Sequence, residues 1–97
     1  MQEFVEIGGA LRKGLGQTIL ERFHEAEGVQ HIFVEAGRAD DLFAEKEFGT
    51  ASEVDLLTLV VEKNQAEQVF TALYDALSLG QEPNGLIYQS PAFIKTA

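Results

Sequence analysis

Apolar residues in the first half of the chain follow two different spacings. From Phe4 to Leu11 they alternate, which predicts a strand with one buried side. After Gly14 they recur at helical spacing until Gly28, which predicts an amphipathic helix. The next segment, GVQHIFVEAGR, carries a short apolar run that ends at Gly37 and predicts a second strand.

The second half of the chain repeats this order after a long acidic segment, residues 39–52, which we interpret as an exposed loop. EVDLLTLVVEK is apolar on both sides, so it predicts a central strand. Asn64 followed by Glu67 predicts the start of a second helix, and Gly80 predicts its left-handed end. Residues 86–88 predict a last short strand, followed by the tail PAFIKTA.

The order of these elements is strand, helix, strand, strand, helix, strand. It predicts one α+β domain over residues 1–97, a ferredoxin-like βαββαβ sandwich with a four-stranded antiparallel sheet and both helices on one face. If the third strand is apolar on both sides, the uncovered face of the sheet is apolar too. Large exposed apolar faces are rare in monomers, so we expect another subunit to cover it.

Charge and composition exclude several classes of function. Sixteen Asp and Glu residues against seven Lys and Arg leave a net charge of −9, which would repel nucleic acid. The chain has no cysteine, which removes disulfides and thiolate chemistry and fits the cytoplasm. No apolar run approaches the ~20 residues of a membrane span, so no membrane insertion is expected.

Two glycine-containing turns are candidates for anion binding. SLGQEPNGLIYQSP, residues 78–91, has the composition of a loop whose backbone amides surround an anion, but no lysine or arginine adjoins it in sequence. Arg12 and Lys13 precede Gly14 and Gly16 at the start of the first helix, where an anion could also bind. No nucleophile is accompanied by a base, so an enzyme is not expected.

The segment EVDLLTLVVEKNQAEQVFTALYDALSLGQEPNGLIYQSP resembles the second half of the PII-type nitrogen-regulatory signalling proteins and their PII-like relatives. Upstream, RKGLGQTILERFHEAEGVQHIFVEAGR is similar to their first half, with Gly37 and Arg38 in the places of a Gly-Arg pair. The resemblance implies a cytoplasmic homotrimer that senses a small effector in the clefts between subunits. It also implies control of a partner protein, such as a membrane transporter or a metabolic enzyme, by binding.

The resemblance also implies a set of effector-binding residues, namely Gln30, Gly37, Arg38, Gly80, Asn84, Gly85 and Lys95. Pro83 stands where the family has a glycine and Leu86 where it has a lysine, so the loop lacks one amide donor and its cation. The pattern leaves open whether AMP, ADP, ATP, bicarbonate or no such effector binds.

Two other functions remain open from the residues. One is an amino-acid-binding regulatory domain with the same strand order. The other is a small acylphosphatase-like hydrolase that would bind phosphate on the turn around Arg12.

Overall fold

The computed structural model describes residues 2–39 and 52–94, with Ser52 described by its backbone alone. In chain order the elements are β1 (Glu3–Arg12), α1 (Leu15–Phe23), β2 (Val29–Ala39), β3 (Ser52–Glu62), α2 (Ala66–Ala76), β4 (Gly85–Gln89) and β5 (Phe93–Ile94). A 3-10 turn, Lys63–Gln65, precedes α2. The predicted acidic loop lies almost wholly outside the described residues, as does Lys95.

The strands form one antiparallel sheet in the order β2-β3-β1-β4, and β5 pairs with β1 beyond the end of β4. The prediction that the third strand is central is confirmed, because β3 pairs with β1 on one side and with β2 on the other. The chain is therefore an α+β protein with an antiparallel sheet and two helices, which is compatible with a ferredoxin-like fold.

Alternation along the central strands decides which side of the sheet is buried. Val5, Ile7 and Leu11 of β1 face the same side as Leu57 and Leu59 of β3. This side packs in one core cluster against residues of both helices, Ile19 and Phe23 of α1 and Val69 and Leu73 of α2. Both helices therefore cover the same face of the sheet, as the sequence predicted.

The predicted cap of α2 at Asn64 is wrong. Asn64 lies inside the 3-10 turn, and the residue that precedes α2 is Gln65, whose side chain makes no capping hydrogen bond. The backbone N–H of Glu62 donates to the carbonyl of Gly28, and the chain then passes through this extra turn before α2 begins. The helix consequently starts later than the capping pattern indicates.

The predicted left-handed end of α2 at Gly80 is also wrong. Ser78 takes the left-handed conformation, with φ 55°, and its N–H donates to the carbonyl of Asp75. The N–H of Leu79 donates to the carbonyl of Tyr74, which completes a Schellman motif. The helix therefore closes two residues before the glycine, at a serine that composition alone does not mark as a helix end.

Among the described residues no helix combines the length and apolar character needed to cross a membrane.

Candidate functional site

The predicted effector-binding residues that the structure describes fall at three places in one chain. Gly37 and Arg38 lie at the end of β2, whereas Asn84 and Gly85 lie at the start of β4, on the opposite edge of the sheet. Both groups lie at the same end of the sheet, separated by three strand spacings of about 14 Å in total. Gln30 lies near the other end of β2, about 24 Å along the strand from Gly37. A single chain thus does not bring these residues together.

The loop between α2 and β4 uses its own backbone amides. The N–H groups of Gln81 and Glu82 both donate to the carbonyl of Ser78, and the N–H of Asn84 donates to the carbonyl of Glu82. Together with the Schellman bonds, these contacts turn most of the loop's donors inward. In this conformation the loop is a closed turn, and an anion would have to displace internal hydrogen bonds to reach these amides.

Arg12 of β1 supplies the cation that the sequence of this loop lacks. Its backbone N–H donates to the carbonyl of Asn84 at 2.9 Å, and its Nε donates to the carbonyl of Pro83 at 2.9 Å. Sequence reasoning missed this role because 71 residues separate Arg12 from Pro83. The structure thereby assigns Arg12 to the α2–β4 loop rather than to the turn that precedes α1.

Asn84 ties the loop to the end of α2. Its side-chain Nδ2 donates to the backbone carbonyl of Leu77 at 2.8 Å, and the residue is half-buried. Leu77 is the C-cap of the helix, so this bond satisfies one of the carbonyls that every helix end leaves without an intrahelical partner. Asn84 is thus held through its side chain, its N–H and its carbonyl.

Gly85 passes so close to β1 that a side chain has no room. Its φ is +144°, and a Cβ there would lie 2.2 Å from the carbonyl oxygen of Ala10. The obstacle is backbone of a central strand, which cannot move aside as a flexible side chain could. A glycine is therefore required where the loop enters β4.

We expect Gly85→Ala to lower the free energy of unfolding by about 2–3 kcal/mol, because backbone strain and a backbone clash add. Gly14→Ala is the matched control, since Gly14 also has positive φ, +98°, but a Cβ added there would have no other atom within 4 Å. Gly14→Ala should lower the free energy of unfolding by about 1 kcal/mol, from backbone strain alone. Urea unfolding of both variants measures the difference, and equal losses would contradict the close approach.

A second polar cluster lies at the end of β2 and the start of β3, beside the start of α1. Lys13, Gly37, Arg38, Glu53 and Asp55 are among the residues that line a shallow cavity of about 310 Å³ here. The cluster carries two cations and two carboxylates, so its charges balance. It contains the predicted Gly37 and Arg38.

Asp55 occupies the turn that the sequence offered as an anion site. Its Oδ2 accepts hydrogen bonds from the backbone N–H groups of Gly14 and Gly16, each at 2.9 Å. Gly16 is buried against Asp55 and Val34, which brings this turn close to the sheet. The amides that a phosphate would need at the start of α1 are therefore already bonded to the chain's own carboxylate.

Asp55→Ala should lower the free energy of unfolding by about 1–2 kcal/mol, because the two glycine amides lose their acceptor at the start of α1. Glu53→Ala is the control on the same strand, since Glu53 is exposed and pairs only with exposed groups. It should change stability little. If thermal unfolding shows the same loss for both variants, Asp55 does not anchor this turn.

Lys13 and Glu53 form an ion pair at 2.5 Å on the surface of this cluster. The hydrogen bond from Lys13 lowers the pKa of Glu53, with a smaller contribution from Arg38, and the same bond raises the pKa of Lys13. The pair therefore stabilises the fold at pH values between the lowered pKa of Glu53 and the raised pKa of Lys13. This stability is lost as pH falls through the Glu53 pKa or rises through the Lys13 pKa. Solvent screens both exposed groups, so the effect is small.

The face of the sheet opposite the helices, which we name the open face, carries large apolar side chains that are exposed. Cross-strand neighbours place Phe33, Leu56, Leu86 and Tyr88 on it, and their exposed fractions are 58%, 37%, 45% and 53%. The ring of Tyr88 lies over Gly8, where a Cβ would come within 2.4 Å of it. Polar and charged residues, including His31, Glu35 and Arg12, lie around this apolar stripe.

The described residues contain no group of three or more side chains able to hold a metal ion. A comparison of the chain with models of protein families finds no match, and a comparison with curated proteins finds none either.

Proposed function

We propose that this chain is a PII-like regulatory protein with a ferredoxin-like fold, in which three copies cover one another's open faces. The observation that carries the proposal is the exposed apolar stripe of Phe33, Leu56, Leu86 and Tyr88 on the face that neither of the described helices covers. A stripe of this kind is rare on a monomer and is typical of an interface. Among closed assemblies we choose the trimer, because the resemblance over residues 53–91 implies a homotrimer.

The same proposal explains why the predicted effector residues lie apart within a single chain. Gly37 and Arg38 end β2 at one edge of the sheet, and Asn84 and Gly85 begin β4 at the other edge. In a ring of copies, one edge of a sheet comes next to the opposite edge of its neighbour. The effector cleft then forms from the Arg38 cluster of one copy and the α2–β4 loop of the next.

The charges of these groups favour a small effector of low charge. Arg38 shares its cluster with Lys13 and with the carboxylates of Glu53 and Asp55. Arg12 is engaged with the carbonyl of Pro83. In a chain of net charge −9, this leaves little compensation for a triphosphate, so AMP or bicarbonate suits the cleft better than ATP.

In this proposal the protein works in the cytoplasm by binding a partner, for example a transporter or a metabolic enzyme, and catalyses no reaction. The effector shifts the equilibrium between binding and release by binding the two states with different affinity. An acylphosphatase-like hydrolase would need the backbone amides of Gly14 and Gly16 to bind phosphate, but these amides already donate to Asp55. This contact favours the regulatory protein over the hydrolase.

Sedimentation equilibrium of the purified full chain tests the assembly, with a mass of three copies expected. A stable monomer at micromolar concentration would overturn the proposal, and a dimer that binds a free amino acid would favour the amino-acid-binding domain. Calorimetry with AMP, ADP, ATP and bicarbonate then tests the effector. Tight binding of magnesium-ATP would contradict the preference for low charge while leaving the trimer standing.

A further inference from the structure

The dipeptide Asn84-Gly85 occurs once in the chain, and the other asparagine, Asn64, precedes a glutamine. In an Asn-Gly sequence the backbone nitrogen of the glycine can attack the side-chain carbonyl carbon of the asparagine, because no Cβ hinders the approach. The chemistry is spontaneous in flexible peptides and slow where the side chain is held. What holds Asn84 therefore decides whether this reaction occurs in the folded protein.

Three hydrogen bonds hold the side chain and the backbone of Asn84 in place. The side-chain amide is turned toward α2, where Nδ2 donates to the carbonyl of Leu77 at 2.8 Å. The backbone N–H is bonded to the carbonyl of Glu82, and the backbone carbonyl accepts from the N–H of Arg12, each at 2.9 Å. An attack from Gly85 requires the side chain to leave Leu77 and the backbone around residue 84 to rotate.

The nucleophile itself points away from β1. The bond from the Arg12 N–H to the Asn84 carbonyl makes Leu11 and Gly85 a non-hydrogen-bonded pair of the antiparallel ladder. The N–H of Gly85 consequently points toward the outer side of β4. The reaction is therefore prevented by the restraints on Asn84, and not by pairing of the attacking nitrogen with β1.

We propose that Asn84 is a deamidation site whose reaction is controlled by local opening of the α2–β4 loop. The nitrogen of Gly85 forms a bond to Cγ of Asn84 and loses its proton, and ammonia leaves with that proton from the side chain. The resulting five-membered imide is opened by water to aspartate or isoaspartate. Overall, one amide and one water give one carboxylate and one ammonium ion, so no other reactant is needed.

The product cannot restore the contact that protected the asparagine. A carboxylate at residue 84 would accept rather than donate, and would face the carbonyl of Leu77 at the negative end of α2. Two acceptors repel each other, so the loop that opened to react stays less firmly closed afterwards. This proposal does not depend on the proposed function, although the new charge would lie in the loop to which that function assigns the effector.

The rate difference between folded and unfolded protein is the first test. The full chain is incubated at mildly alkaline pH with and without urea, and peptide mass spectrometry follows residues 84 and 64. We expect Asn84 to deamidate at least about tenfold more slowly in the folded protein, because loop opening must come first. Asn64 is the internal control and should react slowly in urea. Equal rates at Asn84 with and without urea would overturn the proposal.

A variant that loosens the loop without touching the reacting residues is the second test. Arg12→Ala removes the bond from Nε to the Pro83 carbonyl. It should raise the folded-state rate at Asn84 by about threefold to tenfold and leave the rate in urea unchanged. Lys13→Ala, which changes the neighbouring cation that pairs with Glu53, is the matched control and should leave both rates unchanged. An unchanged folded-state rate in Arg12→Ala would count against control by the loop.

The third test concerns the product. Asn84→Asp should unfold at a lower temperature than Asn84→Ala, because both lose the donor to Leu77 and only the aspartate adds repulsion. Amide hydrogen exchange of the Arg12 N–H, which bonds to residue 84, should be faster in Asn84→Asp than in the parent protein. Parental stability and exchange in Asn84→Asp would contradict the inferred effect of the reaction.

Discussion

Leu59→Ala is expected to lower the free energy of unfolding by about 3–5 kcal/mol. Leu59 is 0% exposed on β3, between Ile7 of β1 and Ile32 of β2, and belongs to the core cluster that both helices cover. Its neighbours on the paired strands are held by the ladder, so they cannot move in to fill the cavity. The free energy of unfolding of a small domain is only about 5–15 kcal/mol in total. Chemical denaturation of the variant should therefore show its transition at a much lower denaturant concentration.

Leu56→Ala is the matched control, since it makes the same change on the same strand but on the open face. In dilute protein it should cost less than about 1 kcal/mol, because Leu56 is 37% exposed and leaves no closed cavity. Its effect should increase with protein concentration if copies bury the open face. A loss as large as that of Leu59→Ala at every concentration would contradict the assignment of the two faces.

Leu56→Lys is expected to weaken association of the copies by about a hundredfold or more, so that sedimentation shows monomers at concentrations where the parent protein is assembled. β3 lies between β2 and β1, so Leu56 is on a central strand and not on an edge strand of the sheet. A lysine there could not extend into water once another copy covers the open face, and its charge would be buried without a partner. Circular dichroism should show that the fold is retained.

Tyr74→Lys is the control for this variant. Tyr74 lies on α2, on the other side of the molecule from the open face, and its exposed fraction of 43% is close to that of Leu56. The same change of charge there should leave the assembly intact. Dissociation of both variants, or of neither, would show that the open face is not the surface through which copies associate.

The strands and helices were largely predictable because their apolar spacing records which side is buried. Alternation in β1 placed Val5, Ile7 and Leu11 on one side, and all three are buried there. The doubly apolar β3 was predicted to be central, and it pairs on both edges. A strand buried on one face has apolar residues with a period of two, and a helix buried on one face has a period of 3.6 residues. Both periods can be recognised in the sequence.

The ends of the elements were predicted less well. Asn64 lies in a 3-10 turn, Ser78 takes the left-handed position expected of Gly80, and β5 was interpreted as part of a tail. Ser78 is held by the local bonds of the Schellman motif, whereas other ends depend on contacts with distant parts of the chain. β5, for example, has only two residues and forms because Phe93 pairs with Phe4 of β1, where their rings also come into contact.

Within the candidate site, the sequence did not indicate the partners of the two glycine-containing turns. Arg12 reaches Pro83 over 71 residues, and Asp55 reaches Gly14 over 41 residues. The sequence placed Arg12 at the turn before α1 and no cation at the loop after α2, whereas the fold brings Arg12 to that loop. All seven predicted effector residues remain predictions, namely Gln30, Gly37, Arg38, Gly80, Asn84, Gly85 and Lys95, of which Lys95 lies outside the described residues.

By itself, the sequence determined the order and type of the main elements, the buried side of the central strands and the acidic charge of the molecule. Only the tertiary structure decided that a carboxylate fills the turn before α1, that an arginine clamps the loop after α2, and that four large apolar side chains share the open face. The physical reason is distance along the chain. Local spacing reports whether a residue is buried, whereas the identity of its partner depends on the register in which remote strands pair.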